Sequence, residues 1–448
     1  MKDLSLARRS FLKTTAGAAT TAPAMLRASE ARKTFRLGFI GMGRRGRNTL
    51  RAALKQPEID VVAISEVYRP NVDAALKMVP NAKVYPDFRD LIAAKDIDAV
   101  CITTPDHWHA YMTVEACKAG KDVYVEKPIS VTVHEGQMMV QAARKYNRIV
   151  QVGTQQRSGK HFQKAVEIIH RGEIGTISFV RTWNYDNEFP QGIGNPSDRE
   201  PPADLDWDMW LGPAPKRAFN ENRFGVHPDH YSYFRWFWDY AGGMMTDWGI
   251  HLLDIVLWAM KEKGPRVITT IGSKYLINDN RETPDVIQAN FEFPNFVCVY
   301  ENRITNEQSM FNHGYGIAFH GTAGTLFVDR RGYKVIPEMK SLDLSESEPR
   351  AYTNSYDREG RMQPKDGIAS NNSTDAHWSD FIASMKSRKP PICDIEIGHR
   401  STVIALLGNV ALRSRQRVEW DPESETTNNK EAQTYLRRDY RPPWKLEL

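Results

Sequence analysis

Between residues 35 and 153 the chain alternates short apolar runs with amphipathic stretches. Residues 35–40, 60–64, 99–102, 123–125 and 149–153 are brief runs rich in Val, Ile and aromatic residues. That is the pattern of strands buried on both faces. Residues 84–85 add a shorter extended piece. Helical stretches separate the runs at 47–55, 71–78, 88–94, 110–119 and 132–146, with Gly120 as a C-cap signal. Repeated β–α alternation predicts a doubly wound parallel sheet.

From residue 154 the rhythm changes. A helix is predicted over 161–170 and a half-buried strand over 177–183. Residues 184–237 follow without regular pattern, rich in Pro, Asn and Trp; a segment this long is functional or wraps the fold. Gly242-Gly243 opens a helix through Met260, and strands are predicted at 267–273, 286–293, 296–303, 316–320 and 325–329. Such a run predicts a mostly antiparallel open sheet with helices on one face. Residues 340–368 are polar and read as loop, 374–387 and 398–413 as helices, and 435–448 as an extended surface segment. The chain therefore divides into a front segment, 1–33, a first domain, 34–153, and a second domain, 154–448.

At 448 residues, 41% hydrophobic and 26% charged, the composition suits a soluble protein with two cores. Of the net charge of +5, residues 1–24 supply +3, and no basic tract argues for nucleic acid. Ala7-Arg8-Arg9-Ser10-Phe11-Leu12-Lys13 resembles a twin-arginine export signal, followed by a weakly apolar run and a small-residue cleavage site at Ala22-Pro23-Ala24, or later at Ala28. The expected location is periplasmic or otherwise exported, with the twin-arginine translocase as a partner; the alternative is an uncleaved tail. The apolar run is too short to insert stably in a bilayer. Cys101, Cys117, Cys298 and Cys393 have no metal-ligand spacing and read as buried thiols, so no metal is expected.

The chemistry gathers at predicted strand ends. Gly41-Met42-Gly43-Arg44-Arg45-Gly46 sits between a strand and a helix, where glycines permit a tight turn and close approach of a pyrophosphate to the helix N-terminus. Without a ligand the same loop would be only a tight turn. Glu66 ends the next strand, where an acid hydrogen-bonds the adenosine ribose of NAD; NADP is disfavoured, although Arg44, Arg45 or Arg69 could accommodate its 2′-phosphate. Ligands of an open parallel sheet bind beyond the carboxyl ends of its strands, so Thr104, Asp106, His109, Glu126 and Lys127 are expected to crowd one site. Gln155 and Arg157 follow the last strand and either reach the substrate or cap the next helix. Arg181 is expected at an exposed position of its strand. Asp247 and His251, four apart on a predicted helix, share one face. The dense aromatics from Tyr231 to Tyr240 either stack on a sugar or pack.

Four motifs in order, G-x-G-x-x-G, Thr104-Pro105 with His109, Glu126-Lys127-Pro128, and Gly242-Gly243 with Asp247 and His251, resemble those of the Gfo/Idh/MocA oxidoreductases. The resemblance runs from Thr34 onward and implies a Rossmann NAD(P)-binding domain and a substrate domain whose sheet makes a homo-oligomer interface. It implies cofactor contacts from Gly41, Gly43, Arg44, Gly46, Glu66, Thr104, Pro105, His109, Glu126 and Lys127. It implies catalysis by Lys127, Asp247 and His251; Gln155, Arg157, Arg181, Asp247 and His251 are the expected contacts to a small carbohydrate. Residues 205–213 are similar to an exported branch of that family.

Hydride transfer needs a nicotinamide, a carbon bearing a hydroxyl, and a base for its proton. Lys127 can act as that base or donate to the oxyanion, and His251 is the alternative proton carrier, with Asp247 orienting it or binding a substrate hydroxyl. The expected function is NAD-dependent oxidation or reduction of a sugar, cyclitol or glycoside. Two alternatives stand beside it. One is a glycoside hydrolase using tightly bound NAD in a redox-neutral cycle; the other is a non-catalytic ligand-binding protein.

Overall fold

In the computed structural model, which describes residues 34–225, 232–341 and 358–448, the first sheet has six parallel strands. They are β1 (Phe35–Ile40), β2 (Ile59–Ser65), β3 (Lys83–Tyr85), β4 (Ala99–Ile102), β5 (Asp122–Val125) and β6 (Val150–Val152). Their order, β3-β2-β1-β4-β5-β6, reverses between β1 and β4. A doubly wound sheet opens its ligand crevice at that reversal. Every residue of β4 and β5 is buried, as unbroken apolar runs require when helices cover both faces. The export segment lies outside the described residues.

The second sheet contains β7 (Ile177–Tyr185), β8 (Val267–Ser273), β9 (Val286–Glu292), β10 (Val297–Arg303), β11 (Tyr315–Gly321), β12 (Gly324–Val328) and β13 (Gly332–Pro337). Two further strands, β14 (Met339–Ser341) and β15 (Arg358–Gly360), pair with each other, while β16 (Lys365–Ile368) and β17 (Val418–Glu419) join the sheet edges. The nine-stranded order is β16-β13-β12-β11-β7-β10-β9-β8-β17. Only the β7–β10 pair in it is parallel, because β7 precedes the long irregular segment and the later strands meander around it. Helices Gly249–Met260 and Ile395–Ser414 pack on one face with Ile268, Phe291, Tyr300 and Phe319. The opposite face leaves Ile271, Val297 and Ile336 exposed.

Three expectations are corrected here. Residues 340–368, read as loop, contain β15 and β16; the short polar sequences Arg-Glu-Gly and Lys-Asp-Gly-Ile lack the apolar alternation that marks a strand. The helix read from Gly242 to Met260 is two helices, Gly243–Asp247 and Gly249–Met260, meeting at Trp248. The tail does not merely lie along the surface: Trp444 is buried 4.8 Å from the Trp108 ring. The helix Ser373–Ser387, distant in sequence, also joins the first domain, with Trp378 stacked on Tyr124 at 4.6 Å. The irregular segment wraps rather than dangles, burying Trp207, Trp210, Phe219, Phe224, Trp236, Phe237 and Tyr240 in a core of their own. Tyr231 lies outside the described residues.

Candidate active site

The glycine loop shows why three glycines stand where they do. Gly41 has φ +86°, and a Cβ there would lie 2.8 Å from the Thr104 backbone nitrogen. A Cβ on Gly46 would lie 2.1 Å from the Gly41 carbonyl oxygen, so only glycine lets helix Arg44–Ala53 approach the loop. A Cβ on Gly43 would meet nothing within 4 Å, and this residue borders the cavity. That is a cradle a side chain would fill, as a pyrophosphate site demands. Across the reversal point, Thr103 donates from its backbone to Ile40 O at 2.9 Å, which sets Thr104 and Pro105 beside the loop.

Glu66 closes the loop from the end of β2. Its carboxylate accepts from Met42 N at 2.6 Å, Val67 N at 2.8 Å and Tyr68 N at 3.0 Å. Burial raises its pKa against the pull of those donors. Asn71 Nδ2 adds a fourth donor at 3.4 Å, the longest and weakest of the set, and the residue borders the cavity. Arg44 borders the cavity too, whereas Arg69 is tied to Asp73 at 2.8 Å.

At the ends of β4 and β5, His109 is held between two carbonyls: Nδ1 is 2.7 Å from Pro128 O and Nε2 2.9 Å from Thr104 O. Burial lowers its pKa. Glu126 pairs with Arg45 at 2.6 Å. Lys127, followed by a cis peptide to Pro128, reaches into the second domain. Its Nζ donates to Asp247 Oδ1 at 2.9 Å and to Asp247 O at 2.5 Å.

Asp247 ends its helix facing a second cation, Arg235 Nε, 3.2 Å from Oδ2. Burial opposes its charge, but Arg235 and then Lys127 overcome burial and hold the carboxyl well below the usual range. Gly243, at φ +63° with a Cβ position only 2.8 Å from Thr283 Cβ, lets this helix start against the sheet domain. His251 lies one turn beyond Asp247; burial, then Lys127, depress its pKa well below normal, so its imidazole is neutral. Its Nδ1 is buried with no hydrogen-bond partner among the described residues. Asp106, buried at the start of its helix, has its carboxyl pushed up to about 8 by burial and by the charge of Asp247, against Lys127 and Arg235.

These groups border one cavity of about 810 Å3. It takes in Gly41, Gly43, Arg44, Glu66, Thr104, Pro105, His109, Glu126, Lys127, Gln155, Asp247 and His251. Gln155 Oε1 is buried there without a partner among the described residues. Two expected substrate residues are elsewhere. Arg157 is buried against Asp254, with Nε 2.9 Å from both carboxylate oxygens. Its strand-end position points it into the interdomain core instead. Arg181 lies in β7 near Glu301 at 3.7 Å, outside the cavity. Arg235 and Arg330 border the cavity but carry no sequence signal: one sits in an aromatic run, the other at a β12–β13 turn.

A parallel sheet with a glycine-cradled crevice, opposed by a second domain that closes a cluster of ionisable groups over it, defines a two-domain dinucleotide-binding protein. Residues 35–154 match the NAD-binding Rossmann fold, and residues 174–274 the C-terminal alpha/beta domain, of one oxidoreductase family. Residues 35–154 and 174–274 thus match the two domains of the Gfo/Idh/MocA oxidoreductase family. It is 36% identical over 155 residues to inositol 2-dehydrogenase of Salmonella typhimurium, across 34% of this chain and 46% of that protein. It is 28% identical over 151 residues to a glycosyl hydrolase family 109 protein of Shewanella sp., across 32% of this chain and 33% of that one. These matches take in less than half the length of either relative. Levoglucosan dehydrogenase, in complex with NADH and levoglucosan, superposes with a TM-score of 0.63 at 17% identity, over 86% of this chain and 99% of that one. At that identity the likeness is one of fold.

Proposed function

We propose that the protein is an NAD-dependent oxidoreductase acting on a hydroxyl-bearing carbon of a sugar, cyclitol or glycoside. One observation carries this reading: Lys127 of the dinucleotide domain and Asp247 of the second domain meet at 2.9 Å in the cavity that Gly43 and Glu66 border. The dinucleotide, when bound, supplies the hydride acceptor. The glycine loop receives its pyrophosphate, and Glu66 accepts from its ribose hydroxyls. Lys127 Nζ donates to the substrate oxygen and stabilises the charge that develops as the carbon gives up hydride. Asp247 holds that ammonium in place. His251, a neutral imidazole in the cavity, accepts the hydroxyl proton. Alcohol and oxidised dinucleotide thus become ketone, reduced dinucleotide and one proton.

Glu66 supports NAD over NADP, since its carboxylate repels a 2′-phosphate and, of the three arginines that could accommodate one, Arg69 is spent on Asp73 and Arg45 on Glu126. The Arg8-Arg9 motif supports export in the folded state with the nucleotide already bound. The exposed sheet face bearing Ile271 and Val297 supports a homo-oligomer. Likeness to a glycosyl hydrolase family 109 protein supports a second reading, hydrolysis through transient oxidation with no net redox change.

The test is to purify the protein, identify any released nucleotide, and offer it NAD with a panel of sugars, cyclitols and glycosides. Reduced nicotinamide accumulating with a ketose supports the first reading. Free sugar and aglycone without net reduction support the second. Absence of dinucleotide binding overturns both.

A further inference from the structure

Behind the substrate end of the main cavity lies a second one of about 370 Å3. The two share Asp186, Met244, Trp248 and Arg330 as a common wall. The cations around the chemistry are mostly committed. Lys127 and Arg235 both pair with Asp247, Arg45 pairs with Glu126, and Arg331 pairs with Asp329 at 3.1 Å. Arg330 differs: among the described residues it forms no ion pair within 4 Å.

Arg330 is nevertheless held in position. Its Nε donates to Gln156 Oε1 at 3.1 Å, and that same oxygen accepts from the Tyr315 hydroxyl. Gln156 in turn donates from Nε2 to His251 O at 3.0 Å, so the arrangement is fastened to the helix that carries the imidazole. The guanidinium lies 4.7 Å from the Trp248 ring centroid and 5.6 Å from that of Tyr315. Neutral hydrogen-bond partners thus fix the group at the mouth between the cavities, where Asp247 feels its charge but no carboxylate among the described residues comes within 4 Å to pair with it. A planar guanidinium with terminal N–H groups to spare matches a carboxylate in shape and charge. Asp186 and Asp247 nearby would repel a phosphate dianion more than a carboxylate monoanion, and Asp186 can accept from sugar hydroxyls.

We infer that the substrate is a sugar acid, its carboxylate held by Arg330 at the junction of the two cavities and its reacting hydroxyl beside Lys127 and His251. This rests on the oxidoreductase reading of the site.

The test uses the full chain loaded with NAD. Glucuronate and galacturonate are compared with glucose, galactose and glucose 6-phosphate, by nicotinamide reduction and by calorimetric binding that needs no turnover. A hydrogen-bonded charge contact predicts that the acids are preferred over the neutral sugars by about tenfold to a hundredfold in kcat/KM or affinity. Arg330→Met is expected to collapse that ratio toward one, and Arg330→Lys, which keeps the charge without the fork, to keep part of it. A merely structural arginine would lower both sugar classes together and leave the ratio standing, which overturns the inference. So does a wild-type protein that prefers neutral sugars or the phosphate. Reduction of NAD by neutral sugars alone defeats this inference and spares the oxidoreductase reading; absence of reduction and of sugar binding in the loaded protein defeats both.

Discussion

Lys127 Nζ lies 2.9 Å from Asp247 Oδ1 and 2.5 Å from the carbonyl oxygen of the same residue, so the end of β5 is tied to a helix end 120 residues away. The contact joins the cofactor domain to the substrate domain at the point where hydride would pass. Lys127→Met is expected to remove the charge that stabilises the developing alkoxide, a contribution of about 3 kcal/mol. Turnover should fall by about a hundredfold or more. Asp247 keeps Arg235 at 3.2 Å, so folding and nucleotide content should survive. Steady-state kinetics, with nucleotide measured after denaturation, check both halves; a rate above about a tenth of wild type would contradict so large a role.

Asp106 makes the fold lose stability as pH rises from about 4 to 8. Its folded carboxyl titrates near 8, because burial and the Asp247 charge disfavour ionisation; unfolded, it titrates near the ordinary value of about 3.9. A carboxyl raised on folding contributes stability that is fully present below the unfolded value and is lost as pH rises through the folded one. Lys127, Arg235 and Asp247 are the charged groups that face it. Asp106→Asn keeps the shape and cannot ionise. Its melting temperature relative to wild type should therefore climb between about pH 4 and pH 8 and level off above that. Thermal scans across that range check this, and a constant difference would show that Asp106 is ionised in the folded protein.

The glycine loop separates binding from stability at neighbouring positions. Gly43 borders the cavity with open space at its Cβ position, whereas a Cβ on Gly46 would sit 2.1 Å from Gly41 O. Gly43→Val should leave melting nearly unchanged and abolish NAD binding. Gly46→Ala should cost about 1–3 kcal/mol, because backbone must move to make room. Calorimetry with NAD and thermal melts of both variants check the contrast.

Much of this site could be read from the chain because strands announce their ends. Val123-Tyr124-Val125 stops at Glu126-Lys127-Pro128, and a parallel sheet delivers such residues to its ligand edge. Asp247 and His251 were legible for a partly different reason than spacing suggests: the helix breaks at Trp248, yet both residues still face the cavity. Arg330 could not be read, since Asp329-Arg330-Arg331-Gly332 looks like a solvated hairpin turn. Its meaning comes from Gln156, 174 residues earlier in the chain. The strands β15 and β16 were hidden for a local reason, as short polar strands carry no hydrophobic period.

Arg157 is the case where position in sequence misleads about role. It follows β6 at the domain junction, where a substrate group is expected, but its guanidinium turns inward onto Asp254. The side chains are only 6% and 1% exposed. Ser401 Oγ also donates to Asp254 Oδ1 at 2.6 Å, and the Trp258 ring lies 5.0 Å from the guanidinium. Breaking a buried pair by removing one partner leaves the other charge uncompensated and costs about 3–5 kcal/mol. Arg157→Met should therefore lower the melting temperature sharply, while the folded fraction keeps the KM for NAD and for sugar. Replacing both partners, Arg157→Met with Asp254→Leu, removes the stranded charge; Ser401 can still donate to Ile397 O at 2.9 Å. The double variant should thus recover most of the lost stability. A rise in sugar KM for Arg157→Met, without loss of stability, would return this arginine to the substrate site.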